Sequence, residues 1–396
     1  MKNALLFVML FICSINICSQ NVPVMEKIVS GNEYLIDFNS AYQKIQPILL
    51  ISQFAEDIEF IPLETKDDCL LGDYIRDIVI TKDNILVFDY TKCYRFNKNG
   101  KFVNSIGNRG EGPGEYVKAR SMSVDTVNKW IYFSDNWTKR LVKYDFNGKY
   151  LNDLDVCISS ASNCWYKPME FLLKSDNYQF QDKEKRYSVY FFSEKNKKNV
   201  SKMKCENNNK IPVLSMCYPI AYKYNEDIYL KDFWCDTIYH MSDPYHLESY
   251  AVFKKGKFVD QTQDDKSLIS GREEPLDKLV LSISRILETD RYILVSSNRA
   301  NLIYDKKVKQ TFAGDFKENK LGIEDDLYGS PGIRSDHFPS CVNGNEFYTF
   351  RHAYEFSETE KVKHLINDVR YTNYRKMVKK LDTEGNPVIM IIKMKK

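Results

Sequence analysis

The chain has 396 residues, 43% of them hydrophobic and 28% charged, the proportions of a folded domain and not of a disordered or collagen-like chain. Its net charge of +3 is spread among mixed signs, so the clustered basic face of a nucleic-acid binder is not signalled. Aromatic residues make up 14%, mostly 27 Tyr and 23 Phe, and their preference for half-buried strand faces points to β structure.

The first residues read as an export signal. Lys2 supplies a positive start, and Ala4 to Ile12 is an apolar run too short to span a bilayer. Cleavage after Ser19 puts a small residue just before the cut. The rival is lipid attachment at Cys13 or Cys18, but each follows an isoleucine, Ile12 or Ile17, where a small residue is wanted. Residues 1–19 are therefore expected to be a removed signal peptide, and the protein to be periplasmic, surface-located or secreted, with a lipid anchor at Cys18 as the alternative. No later stretch reaches the length of a membrane-spanning helix.

Residues 20–55 are expected to form a leader packed on the outside of a main domain, 56–396. Ile58-Glu-Phe-Ile-Pro-Leu63 alternates and contains a proline, which suits a first or edge strand. Tyr74–Ile80, Ile85–Asp89, Tyr94–Phe96 and Phe102–Ile106 follow as short strands. Ser121–Asp125, Trp130–Asp135, Leu141–Tyr144 and Tyr150–Leu154 repeat that order. The turns Asn97-Lys-Asn-Gly100 and Asp145-Phe-Asn-Gly148 are equivalent, and their glycines lie 48 residues apart. A period near that length with four strands inside it is the signature of a propeller blade. Further copies are read at Glu170–Leu173, Tyr178–Gln181 and Tyr187–Ser193, then at Asn225–Leu230 with Asp236–Met241. Asp290–Ser296 with Asn301–Asp305, and Asn343–Phe350, come next. The last apolar run, Val388–Ile392, needs a partner, and Ile58–Leu63 is expected to share its sheet and close the circle. Two segments have helical spacing. Glu274–Leu287 carries Leu276, Leu279, Val280, Ile283 and Ile286. Glu358–Leu381 carries Val362, Leu365, Ile366, Val369, Met377, Val378 and Leu381, with a Lys- and Arg-rich opposite face. The expected fold is all-β: a six-bladed β-propeller of four-stranded blades, its N- and C-terminal strands closing the ring, with one or two helical insertions.

The joint Gly107-Asn-Arg-Gly-Glu-Gly-Pro-Gly-Glu115 invites a phosphate-loop reading. It matches neither the Walker pattern nor the dinucleotide fingerprint. Pro113 lacks an amide hydrogen, and Glu111 and Glu115 repel phosphate. A tight crossing between blades explains the glycines better. Such crossings lie on a propeller's rim, which makes Arg109, Glu111, Glu115 and Tyr116 candidate ligand-binding residues. Trp137 joins them as an aromatic at a strand end that could stack on a sugar.

Catalytic signals are weak. His240, His246, His337, His352 and His364 form no helical zinc spacing. Gly329-Ser-Pro-Gly332 falls short of a nucleophile elbow. Asp382-Thr-Glu-Gly-Asn386 begins like a calcium loop but lacks its downstream glutamate. Of ten cysteines, Cys93 and Cys235 sit in strand-like runs and read as buried thiols, while Cys157 and Cys164 are close enough to close a small disulfide loop as an alternative to staying free.

Phe102-Val-Asn-Ser-Ile-Gly-Asn-Arg-Gly-Glu-Gly-Pro-Gly-Glu-Tyr116 resembles the hallmark of the exported six-bladed β-propeller proteins of Bacteroidetes. Ile58–Thr65, Phe233–Tyr239 and Asn386–Lys393 resemble that family's opening, middle and closing strands. The resemblance implies the fold and export. It carries no catalytic residue, because the family's function is largely undefined. The expected function is a monomeric binding or scaffold module, recognising a glycan, peptide or protein partner on one face of the ring, with no cofactor. The alternative is a metal-dependent lactonase- or lyase-like enzyme holding a divalent ion such as calcium at the central channel.

Overall fold

A computed structural model describes residues 22–72, 74–156, 158, 160–175, 187–205, 219–259, 279–315, 323–333, 341–358 and 368–396. The signal segment, the strand expected at Tyr178–Gln181 and the Cys157–Cys164 pair lie outside the described residues. Six four-stranded sheets follow one another along the chain, the arrangement of a six-bladed β-propeller. Blade 1 is Asp77–Ile80, Asn84–Phe88, Cys93–Asn97 and Phe102–Ile106. Blade 2 is Ala119–Asp125, Trp130–Asp135, Arg140–Asp145 and Tyr150–Asp155. Blade 3 is Ser160–Lys167, Glu170–Ser175, Tyr187–Ser193 and Lys198–Lys204. Blade 4 is Ile220–Tyr224, Asp227–Lys231, Thr237–Asp243 and His246–Phe253. Blade 5 is Ile283–Glu288, Tyr292–Ser297, Asn301–Asp305 and Gln310–Gly314. Blade 6 is Cys341–Asn343, Glu346–Arg351, Val388–Met394 and, from the other end of the chain, Ala55–Pro62.

The hairpins are set by short polar side chains at strand ends. Asn97 Oδ1 accepts the amides of Asn99 and Lys101 at 2.9 and 3.1 Å, and Asp145 Oδ1 those of Asn147 and Lys149, both at 2.9 Å. Asp243 and Asp305 do the same in blades 4 and 5. Such side chains mimic a backbone turn and satisfy amides the ladder has released. Gly100 completes the first of these turns with φ +77°, and an added Cβ would lie 2.2 Å from the Pro62 carbonyl oxygen.

The chain divides into two compact units. One holds the chain up to Gly31 with 106–221 and 227–249. Its core shows why the strands read as near-continuous apolar runs. Phe171 and Leu173 pack with Tyr132 and Leu141 of blade 2, whereas Leu172 between them packs with Ile228 and Met241 of blade 4. Tyr190 and Phe192 likewise face blade 2, and Val189 and Phe191 face blade 4. Alternate side chains leave opposite faces of a strand, so a blade covered on both sides needs apolar residues at every position. In the same unit Val24 bridges Lys202 in parallel, and Glu26–Ile28 runs parallel to His246–Glu248.

The other unit holds 32–105, 222–226 and 250–396. Ile389 and Ile391 pack on blade 1, while Val388, Met390 and Ile392 pack towards blade 5. The expected closure is present: Val388 pairs with Pro62 and Ile392 with Ile58 in an antiparallel ladder. Asn386, nearly buried, seals the seam by donating to the carbonyls of Glu64 (2.7 Å) and Cys69 (2.8 Å). The Glu64 carboxylate accepts the Phe102 amide at 3.0 Å and pairs with Lys66 at 2.9 Å. Its hydrogen bond with Lys66 and the Phe102 amide draw its pKa down to about 2. Tyr34–Ile36 runs parallel to Ala251–Phe253, Gln46 bridges Gly314, and Leu49–Leu50 runs parallel to Ile323–Glu324. Residues before Ala55 thus form short strands and a helix, Phe38–Gln43, that periodicity does not reveal.

The helical spacing over Glu274–Leu287 is overturned where it can be seen. Leu279–Val280 and Ile283–Glu288 are strands, and residues 274–278 lie outside the described residues. Ile283–Glu288 pairs with Tyr292–Ser297, and the β-branched Ile283 and Ile286 suit that ladder. The second helix forms at Val369–Val378, capped by Asp368, whose carboxylate accepts the Arg370 amide at 2.7 Å. Its buried face is Tyr371 and Tyr374, and Val369 is exposed. Val362, Leu365 and Ile366 lie outside the described residues. Cys93 and Cys235 are buried, as are Cys69 and Cys205, and burial pushes the Cys93 thiol up.

Two outcomes follow from the seam. Gly100→Ala and Gly344→Ala each place a side chain at positive φ, but Gly344 has open space around it. Gly344→Ala is expected to cost about 1 kcal/mol. Gly100→Ala should cost at least about twice that in denaturant unfolding, because the Pro62 carbonyl must move as well. For pH, Glu64 is held below its ordinary value, so its contribution is complete above about 4.5 and is lost as pH falls towards about 2. Glu64→Gln should flatten the melting-temperature profile across that interval relative to the parent.

Candidate functional site

The glycine-rich joint leads from the outer strand of blade 1 to the inner strand of blade 2. Its internal bonding is local: Gly110 N–H donates to Tyr116 O at 3.0 Å, Tyr116 N–H to Asn108 O at 3.2 Å, and Glu115 N–H to Gly112 O at 3.0 Å. The Glu115 side chain folds back and accepts the Gly112 amide at 2.8 Å. An added Cβ on Gly110 would fall 2.0 Å from Glu115 Oε2, so a larger residue there would displace the carboxylate from this position. The Gly112 amide is thus taken up by the protein's own glutamate. Gly114, at φ +78°, lies against the Tyr150 ring, where a Cβ would approach to 2.8 Å. Its carbonyl accepts the Tyr144 hydroxyl. Burial, then the Asp153 and Glu115 charges, push the Tyr144 phenol up to about 12, so it remains a donor at neutral pH.

A second turn is tied to this loop. Asp135, 1% exposed, ends the second strand of blade 2. Its Oδ2 accepts the Val117 amide at 2.9 Å, and its Oδ1 accepts those of Lys118 at 3.2 Å and Trp137 at 3.1 Å. Arg140 adds a second link, donating Nε to Thr138 Oγ1 at 2.9 Å and Nη2 to Glu115 O at 3.4 Å, while pairing with Asp153. One buried carboxylate and one guanidinium therefore hold the corner loop and the Trp137 turn together at one end of blade 2.

The five residues expected from sequence divide into two groups. Tyr116 is fully buried, its ring 4.8 Å from that of Phe133, and with Glu115 it builds the loop. Arg109 and Glu111 are exposed on that loop, and Trp137 is 73% exposed on the linked turn. An exposed aromatic plane can stack on a ring, and exposed planar charged groups can hydrogen-bond its substituents. Sequence reasoning missed Asp135 and Arg140. The signal for Asp135 was an aspartate closing the second apolar run in both repeats, Asp89 and Asp135.

A cleft of about 350 Å³ in the other unit is lined by Asp290, Arg291, Lys306, Lys307, Asn345 and Lys396. Two of its four cations, Arg291 and Lys306, are paired within the protein. Arg291 donates Nε and Nη2 to Asp305 Oδ2 at 3.1 and 2.8 Å. Lys306 Nζ lies 2.5 Å from the buried Glu288, which also accepts the Tyr222 hydroxyl at 2.7 Å and that of Tyr250. With Arg291 and Lys306 committed to Asp305 and Glu288, this cleft is a weaker candidate than the corner. Among the described residues no three His, Cys, Asp or Glu side chains gather as a metal site, and no helix is long and apolar enough to cross a membrane. His246 pairs with Asp243 and His352 stacks on Tyr354; His337 and His364 lie outside the described residues.

No curated protein matches the chain. Among solved structures, a Bacteroides fragilis protein inferred to be exported is similar over 94% of this chain and 100% of its own, at 17% identity and a TM-score of 0.66. A member of the DUF4221 family from Bacteroides vulgatus is similar over 86% of this chain and 97% of its own, at 10% identity and a TM-score of 0.51. Identities this low speak for the fold alone. The resemblance to exported Bacteroidetes propellers that rests on Gly112-Pro-Gly-Glu-Tyr116 agrees with these neighbours. Residues 33–393 match the family described as a domain of unknown function, DUF4934, and the chain belongs to that family.

Proposed function

We propose that the protein is an exported binding module whose blade 2 corner recognises a glycan. The observation that carries this reading is the state of Trp137: 73% exposed, yet on a turn whose amide is fixed by a buried carboxylate. Fixing the turn lowers the entropy lost when a ligand stacks on the indole. Arg109 and Glu111, on the loop that Asp135 ties to that turn, supply planar donors and acceptors for hydroxyl groups. The site lies in the periplasm or on the cell surface, with Cys18 as the anchoring residue in the lipidated form, and the protein acts as a monomer.

The reading is tested by applying the labelled mature protein to a glycan array. The parent should bind a defined subset of glycans. Trp137→Ala should weaken that binding at least about tenfold, the loss of one stacked ring. Its unfolding free energy should stay within about 0.5 kcal/mol of the parent, as for an exposed position. An array with no signal, or binding that Trp137→Ala leaves intact, would sink the proposal.

A further inference from the structure

Three turns and the segment after Val388–Met394 meet at the cleft of about 350 Å³. Asp290 and Arg291 lie between the first and second strands of blade 5, and Lys306 and Lys307 follow its third. Asn345 sits in the turn between the first two strands of blade 6, and Lys396 lies just past its third. Polar bonds hold these pieces in place. The Asp305 carboxylate takes Arg291 on Oδ2, and on Oδ1 the Lys307 and Val308 amides at 2.9 and 3.3 Å. Arg291 Nη1 donates to Lys396 O at 3.0 Å, and Met394 N–H donates to Asn345 O at 2.8 Å.

Three lining side chains keep hydrogen-bonding capacity that the protein does not use. The Lys307 ammonium is exposed and has no partner among the described residues. Asp290 is exposed, accepts the Tyr224 hydroxyl on Oδ1 at 3.2 Å, and accepts nothing on Oδ2 among the described residues. Asn345 Oδ1 is buried and has no hydrogen-bond partner there. A buried amide oxygen without a donor is costly, and water or a ligand normally supplies one. With no bond to hold it, the carboxamide can turn about its soft χ2 and offer either end to the cleft.

The unused set is thus one cation, one carboxylate and one carboxamide. A simple anion suits Lys307 but is repelled by Asp290, and for a simple cation the reverse holds. A hydroxyl both donates and accepts, so neighbouring hydroxyl groups on one ring can serve all three side chains. The volume lies at the small end of ligand sites, roughly 300–1,000 Å³, and suits one sugar ring better than a chain. We propose that this cleft seats a single uncharged sugar residue, with Asp290 accepting from its hydroxyl groups, Lys307 donating to them and Asn345 doing both. Its residues are distinct from those of the Trp137 corner, and it stands without that reading.

Saturation-transfer NMR on the full mature chain tests this. The probes are glucose, galactose, mannose, fucose and N-acetylglucosamine at millimolar concentration, with inorganic phosphate as the anionic probe. At least one sugar should receive saturation from the protein. Asp290→Asn, which keeps the shape and loses the charge, and Asn345→Ala should each weaken that binding about tenfold. Asn345→Ala should leave the melting temperature unchanged, because the Oδ1 it removes has no partner among the described residues. Trp137→Ala should leave the binding intact. The proposal fails if no sugar is bound, or if both cleft variants bind as the parent does. Phosphate that binds alone and is lost in Lys307→Ala would make the cleft an anion site, against the proposal. Sugar binding that Trp137→Ala removes belongs to the corner, which would support that reading and overturn this one.

Discussion

A backbone amide released at the end of a strand must find another acceptor, and in this protein the acceptor is repeatedly a side chain one residue away from the ladder. Asp135 does this for four amides drawn from two loops. Asp89 does it in blade 1, where Oδ1 accepts Thr91 and Lys92 at 3.0 and 3.2 Å and Oδ2 accepts Gly72 at 3.1 Å. In blade 5 the task is divided: Ser297 Oγ accepts Arg299 and Ala300, and Asn298 Oδ1 accepts Ser282 at 2.8 Å. In these three blades the device joins the loop that enters the first strand to the turn after the second. The candidate corner inherits its stiffness from a bond made for the fold.

Much of the fold was legible because its signals are local. Asn97 to Gly100 and Asp145 to Gly148 announce hairpins by chemistry alone, and Trp130–Asp135 was bounded correctly from its apolar run. The strands that escaped are those whose character depends on neighbours. Lys198–Lys204 carries three lysines and was assigned no element, yet Lys202 is 6% exposed, with its ammonium 4.0 Å from the Tyr187 ring centroid. Ile283–Glu288 misread as helix because a short apolar stretch fits both periods, and its length and β-branching were the better guide.

The site was legible by residue type and not by geometry. Nothing in a sequence says that Glu115 turns back onto Gly112 while Glu111, four residues earlier, stays in solvent. The buried charges were equally hidden. Lys143 lies 3.3 Å from the Trp130 ring centroid and 2.7 Å from Glu194, which Tyr132 also serves at 2.7 Å. Burial of such a pair is tolerable only when every charge is paired and hydrogen-bonded. Those partners are 51 and 62 residues from Glu194 and share no local pattern with it.

The pairing of Ala55–Pro62 with Val388–Met394 has a consequence for how the protein comes into being. Pro62 and Val388 are 326 positions apart, so blade 6 has no outer strand until nearly the whole chain is available. Joining such distant ends adds little to the equilibrium cost, since loop entropy grows only logarithmically, but it delays the last step of folding. Until Val388–Met394 is free to pair with Ala55–Pro62, blade 6 remains unlatched, so the seam is the last part of the ring that can lock.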